Sequence, residues 1–119
     1  MENISYGQWI QDKLEELANQ TKTDGQIWRP SYSDHDRTGH ELLRTWITDA
    51  GLEWREDVIG NVYGRLSGVS TETILIGSHI DTVKNGGKYD GAAGVITGLA
   101  VLKFLKEQGV RPQYTLEVV

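Results

Sequence analysis

The sequence contains no cysteine among its 119 residues. That absence excludes disulfides, thiolate metal sites and cysteine nucleophiles together. Proline occurs only twice, at Pro30 and Pro112, and phenylalanine once, so neither proline-rich linkers nor a phenylalanine-rich core is available. Long apolar runs are also missing. The longest covers residues 91–102 (GAAGVITGLAVL) and is closed by Lys103, whereas a membrane span needs about twenty residues. The start, Met-Glu-Asn-Ile-Ser, has neither a basic nor an apolar signal region, and the chain reads as a cytoplasmic protein without a membrane partner. Basic charge is in deficit, 12 Lys and Arg against 17 Asp and Glu, for a formal charge of −5. Such a surface offers nucleic acid no electrostatic reason to bind. What remains is an ordinary composition, 38% hydrophobic and 24% charged, of a length suited to one folded domain.

Hydrophobic spacing divides the chain into elements. Tyr6, Ile10, Leu14 and Leu17 recur at helical intervals and predict an amphipathic helix over 4–22. Residues 23–32, with Gly25 and Pro30, read as a loop. Ser33-x-x-Asp36 has the form of a capping box, opening a second helix whose apolar face is Leu42, Leu43, Trp46, Ile47 and Ala50, with Gly51 as its stop. Two short segments, 52–59 and 61–66, flank Gly60-Asn61 and predict a hairpin. Ser67-Gly68-Val69-Ser70 reads as another turn. The run 73–77 (TILIG) lacks alternation and predicts a strand covered on both faces. A glycine-rich loop at 84–89 leads to a third helix at about 91–108, closed by Gly109, and 114–119 (YTLEVV) predicts a strand. Gly94 and Gly98 are expected to let that helix approach the sheet closely. The order is helix, helix, hairpin, then a right-handed β-α-β unit, which indicates an α/β layered fold with a mixed sheet.

Chemistry concentrates between Gly77 and Gly91. His79 falls just beyond the C-terminal end of a strand, where open α/β sheets place ligands. Asp81, two residues on, shares a side with His79 if the chain is extended. Asp90 follows after eight intervening residues that include Gly86 and Gly87. A neutral imidazole, a carboxylate holding its other nitrogen and a second carboxylate suit a divalent metal site. Simpler uses exist for each: Asp81 as a turn residue, and Asp90 as the N-cap of the third helix, a role compatible with ligation. Ser78 and His79 are adjacent and point to opposite faces, so they are not a nucleophile–base pair. The glycines spell neither a dinucleotide fingerprint nor a phosphate loop. His35 and His40, five apart, do not match the i,i+4 metal pair and are expected to be solvated.

The stretch GSHIDTVKNGGKYDGAAGVITGLAVLKFLKEQG resembles the motif of the N-carbamoyl-L-amino-acid and allantoate amidohydrolases. These form the hydantoinase/carbamoylase branch of a superfamily of dinuclear metallopeptidases and aminoacylases. The likeness extends upstream through YSDHDRTGHELLRTWITDAGLEWREDVIGNVYGRL and downstream into YTLEVV. The resemblance implies a partial three-layer catalytic domain, with His79 and Asp90 as metal ligands, Asp90 bridging two ions, and Asp81 partnering His79. It also implies a strained, cis peptide between Asp90 and Gly91. The ions would be zinc, manganese, cobalt or nickel, and the substrate a small N-carbamoyl or ureido compound whose C–N bond is hydrolysed by a homodimer.

In such relatives the general-base Glu, further ligands and a dimerisation domain follow the strand matching TLEVV. The expectation is therefore an amino-terminal fragment, 1–119, that ends within a strand. On that reading it binds metal weakly or not at all, is inactive alone, and self-associates through its terminal strand. A non-catalytic remnant acting as an association module, and a peptidase or aminoacylase of the same superfamily, are the alternatives. The short interval between Asp81 and Asp90 disfavours the peptidase branch.

Overall fold

Ser5 opens the first helix by accepting a hydrogen bond at its Oγ from the Gln8 N–H at 3.2 Å. The computed structural model describes residues 5–119, so the expected helix start at residue 4 lies outside the described residues. Helix α1 runs Tyr6–Gln20, burying Leu14 and Leu17 as the spacing predicts. The following segment is not a plain loop. Strands β1 (Lys22–Thr23) and β2 (Gln26–Ile27) pair antiparallel around Asp24 and Gly25, both at positive φ. Asp-Gly is a favoured pair for such a two-residue turn.

Helix α2, Asp34–Asp49, begins at the Ser33 cap, whose Oγ accepts the Asp36 N–H at 3.2 Å. The reciprocal half of the box is modified: Asp36 Oδ2 accepts from the Tyr32 N–H at 2.9 Å rather than from Ser33. Gly51, at φ 76°, ends the helix in a Schellman arrangement, with the Gly51 N–H bonded to the Thr48 carbonyl and the Leu52 N–H to that of Ile47.

The hairpin forms from β3 (Glu53–Glu56) and β4 (Val62–Leu66). Its first strand stops three residues earlier than the apolar pattern suggests, because Asp57 captures the chain. Its Oδ1 accepts the N–H groups of Ile59 at 3.1 Å and Asn61 at 2.9 Å. Strand β5 spans Ser70–Ile76, helix α3 Ala92–Glu107 and strand β6 Tyr114–Val118. The sheet order is β3-β4-β6-β5, with β6 antiparallel to β4 and parallel to β5. The fold is thus α/β with a mixed sheet, two N-terminal helices, a hairpin and a β-α-β unit.

Two expectations are corrected here. The terminal strand lacks no neighbour: β6 lies inside the sheet between β4 and β5 and has no free edge to offer. Strand β5 is the edge instead, and its TILIG residues are not covered on both faces, Ile74 being 50% and Leu75 56% exposed. A short β-branched run cannot itself tell a central strand from an edge that awaits a neighbour.

Helices α2 and α3 share one face of the sheet. An added Cβ at Gly64 would meet Ile47 of α2 at 3.0 Å and Val118 at 3.3 Å, and one at Gly98 would meet Val118 at 2.9 Å. The glycines of α3 do permit close approach, Gly98 to β6 and Gly94 to Ser78. Ile96, Leu99 and Leu102 are fully buried between α1 and the sheet, each contributing about 1.5–3 kcal/mol of burial. Alternate strand positions carry a polar face, where the Arg55 guanidinium stacks over Tyr63 and bonds Glu117 at 3.2 Å. Among the described residues no helix is long and apolar enough to cross a membrane.

Candidate metal centre at the end of the edge strand

The β5–β6 ladder continues one step past the strands, through the Ser78 N–H to the Val119 carbonyl at 3.1 Å. The chain then leaves the sheet in extended form. Ile80 turns into the core, 6% exposed, while His79 and Asp81 turn to the other side together. His79 Nδ1 lies 3.0 Å from the Asp81 carbonyl oxygen and 3.2 Å from its Oδ1. Both are acceptors, so Nδ1 carries the ring proton in the neutral imidazole, an assignment made from the partners. Nε2 is left with its lone pair, and it faces Asp90 Oδ1 at 3.5 Å.

Asp90 reaches that position through Gly91. The Ala92 N–H bonds the Asp90 carbonyl at 2.7 Å, closing a γ-turn around Gly91, whose φ of 69° and ψ of −56° suit glycine. Gly91, not Asp90, is the N-cap of α3, and no side chain caps that helix. The capping role is therefore overturned for Asp90, whose side chain stays 77% exposed beside the imidazole. No cis peptide occurs among the described residues, so the cis form at Asp90–Gly91 is corrected as well. The positive φ at Gly91 makes the change of direction within a trans bond. Ser78 secures the same junction by donating its hydroxyl to the Gly91 carbonyl at 2.9 Å.

Two donors bound to one tetrahedral zinc at about 2.0–2.2 Å stand about 3.3 Å apart. The 3.5 Å between His79 Nε2 and Asp90 Oδ1 matches that spacing, and the protonated Nδ1 on Asp81 leaves the correct nitrogen free. The residues present fit a divalent ion as a pair of ligands. Among the described residues no group of three or more His, Asp or Glu side chains is arranged to hold a metal ion together. A neighbouring cleft of about 160 Å³ is lined by Ser78, His79, Asp81, Asn61, His40 and Val119.

Two residues near the site carry more than the sequence suggests. His40 is not simply solvated: its Nε2 lies 3.4 Å from Asp36 Oδ1, one helical turn away. The hydrogen bond it donates to the Asp36 carboxylate raises its pKa above the usual histidine value, against an opposing effect of burial. For Asp36, burial pushes upward, but the His40 bond, the Tyr32 N–H and the nearby Arg29 charge outweigh it and hold the carboxyl low. Arg29, read as part of a loop, is 1% exposed. A lone arginine beside a proline carries no sequence signal, and only the Asp24-Gly25 turn hinted that this segment folds back.

Several known proteins resemble this chain. The pattern of peptidase family M28 matches residues 61–119. An allantoate amidohydrolase of Bacillus subtilis (strain 168) is 44% identical over 99% of this chain, which spans 29% of that protein. An N-carbamoyl-L-amino-acid amidohydrolase of Pseudomonas sp. (strain NS671) is 38% identical over 89% of this chain and 26% of its own length. The crystal structure of a hydantoinase/carbamoylase family amidase from Burkholderia ambifaria superposes with a TM-score of 0.88 at 34% identity, covering 97% of this chain and 29% of that one. The chain thus spans less than a third of the proteins it resembles. Along nearly its whole length, in sequence and in fold, it matches the hydantoinase/carbamoylase amidohydrolases.

Proposed function

We propose that the chain is the amino-terminal part of a single metal-dependent catalytic domain, in a hydrolase that cleaves the C–N bond of a small ureido or N-carbamoyl compound. The observation that carries the reading is the orientation of one ring: His79 gives Nδ1 to Asp81 and presents Nε2 to Asp90. On this reading His79 and Asp90 would hold the metal, and Asp81 fixes the imidazole. A divalent ion held there supplies Lewis-acid polarisation of a ureido carbonyl and acidifies a bound water. Asp81 holds the proton at Nδ1 through the cycle, so that the ring neither turns nor exchanges tautomers. Asp90, at the mouth of the loop, sets the anionic side of the centre. Zinc, manganese, cobalt and nickel all suit a nitrogen–carboxylate set. The proposed assembly is a homodimer and the proposed setting the cytoplasm, both supported by the family likeness.

The match to peptidase family M28 supports a second reading, cleavage of a peptide or acyl amide. A panel of N-carbamoyl, N-acyl and dipeptide substrates on the complete enzyme separates the two, preference for the carbamoyl series being expected. Calorimetric titration of this chain with zinc and with manganese tests the centre itself. Saturable binding that is lost in His79→Ala supports it. Saturable binding that His79→Ala leaves unchanged would remove His79 from the ligand set and the reading with it.

A further inference from the structure

Arg29 is a buried cation that makes no ion pair among the described residues. Its Nε donates to the Ile80 carbonyl at 2.7 Å, and its Nη1 donates to Thr21 Oγ1 at 2.6 Å. Thr21, itself fully buried, passes its own hydroxyl proton to the Leu17 carbonyl at 2.6 Å near the end of α1. The Arg29 main chain is tied to the same segment, its N–H to Thr82 Oγ1 at 2.8 Å and its carbonyl to the Thr82 N–H at 2.8 Å. The Arg29 stem lies against Gly39 of α2, where an added Cβ would meet its Cδ at 3.4 Å and Ile80 Cδ1 at 2.8 Å.

Burying a guanidinium on neutral acceptors is expensive, and burial does depress the Arg29 pKa, opposed by the charges of Asp36 and Asp81. Packing alone does not require a charge here, since a methionine would fill a similar stem. All but the Thr21 bond fall on one segment: the carbonyl of Ile80 and the N–H and side-chain hydroxyl of Thr82, which bracket Asp81 and adjoin His79. Ile80 is the residue whose inward turn sends His79 and Asp81 outward on one side.

We propose that Arg29 is a positioning residue for the His79–Asp81–Asp90 set, clamping the Ile80 carbonyl so that His79 Nδ1 stays on Asp81 and Nε2 stays on Asp90. The planar fork of Arg joins two acceptors on two elements, α1 and the 79–82 segment, which a lysine's single ammonium cannot do in the same geometry. The metal reading above enters only through the second readout below.

The first readout is the ring tautomer of His79, observed by nitrogen–proton correlation NMR on the histidine-labelled chain in mildly alkaline buffer. In the unmodified chain His79 is expected as a single Nδ1–H tautomer, and the Arg29 Hε as a slowly exchanging proton coupled to the Ile80 carbonyl. In Arg29→Gln that single tautomer is expected to give way to a mixture, with Arg29→Lys intermediate, while the other histidine signals persist. The second readout is zinc affinity, expected to fall ten- to a hundredfold in Arg29→Gln, as for other supports of a ligand. An unchanged His79 tautomer in a folded Arg29→Gln protein would overturn the proposal. So would a rapidly exchanging Hε in the unmodified chain, a measurement that needs no variant to fold. If the tautomer shifts while measurable zinc binding stays unchanged, Arg29 keeps its positioning role and the metal reading fails alone.

Discussion

Gly91 and His79 touch so closely that no side chain fits at position 91: an added Cβ would overlap the His79 ring and its carbonyl oxygen. The helix start and the imidazole therefore define one another. Gly91→Ala meets two penalties, the γ-turn conformation at φ 69°, worth about 1–3 kcal/mol for a residue with a Cβ, and displacement of the ring. Thermal unfolding should shift down accordingly, and whatever zinc affinity the chain has should fall. A variant with unchanged melting and unchanged binding would show that the contact is slack.

Asp81 holds His79 twice, through its carboxylate and through its own carbonyl. Asp81→Asn removes the charge but leaves an acceptor and the carbonyl in place. Its effect on zinc affinity is expected near tenfold, the lower end of the range for such partners, with the His79 tautomer retained. A loss of a thousandfold in calorimetry would mean that Asp81 is itself a ligand.

The Asp36–His40 pair gives α2 a definite pH response. The raised folded pKa of His40 means that its contribution is complete below the ordinary histidine value of 6.5 and is lost as pH rises through the folded value. The lowered folded pKa of Asp36 means that its contribution is present above 3.8 and is lost as pH falls through its folded value. His40→Ala should lower the melting temperature most between these limits, around pH 5–6, with a difference that shrinks toward alkaline pH. A difference independent of pH would assign the loss to packing rather than to charge.

The edge of β5 presents Ile74, Leu75 and Ile76 beside unpaired backbone groups. Edges of this kind recruit other strands. Light scattering of the chain over micromolar concentrations should show growth in mass, suppressed by Leu75→Lys. A constant monomer mass for the unmodified chain would mean that this edge is closed to pairing.

Much of this architecture could be read from local chemistry. Ser33, Gly51 and Gly109 announce helix ends because capping is decided within a few residues, and all three act as expected. His79 and Asp81 were legible as one side of an extended segment for the same reason. The order of strands was not legible, since TILIG and YTLEVV differ too little in pattern to say which is flanked on both sides. Asp90 was ambiguous because capping and ligation ask for the same residue in the same place, and only the turn at Gly91 separates them. Arg29 was invisible for a different reason: its partners, Thr21, Ile80 and Thr82, include two that lie more than fifty residues away, and no periodicity records such a contact.

The central place of β6 also sets a timetable for synthesis. Strands β4 and β5 follow one another in the chain yet share no ladder, and each must wait for residues 114–118 to lie between them. At roughly 5–20 residues per second, the 42 positions from Ile76 to Val118 take roughly 2–8 seconds to emerge. For that interval the apolar run of β5 has been made but its partner strand has not.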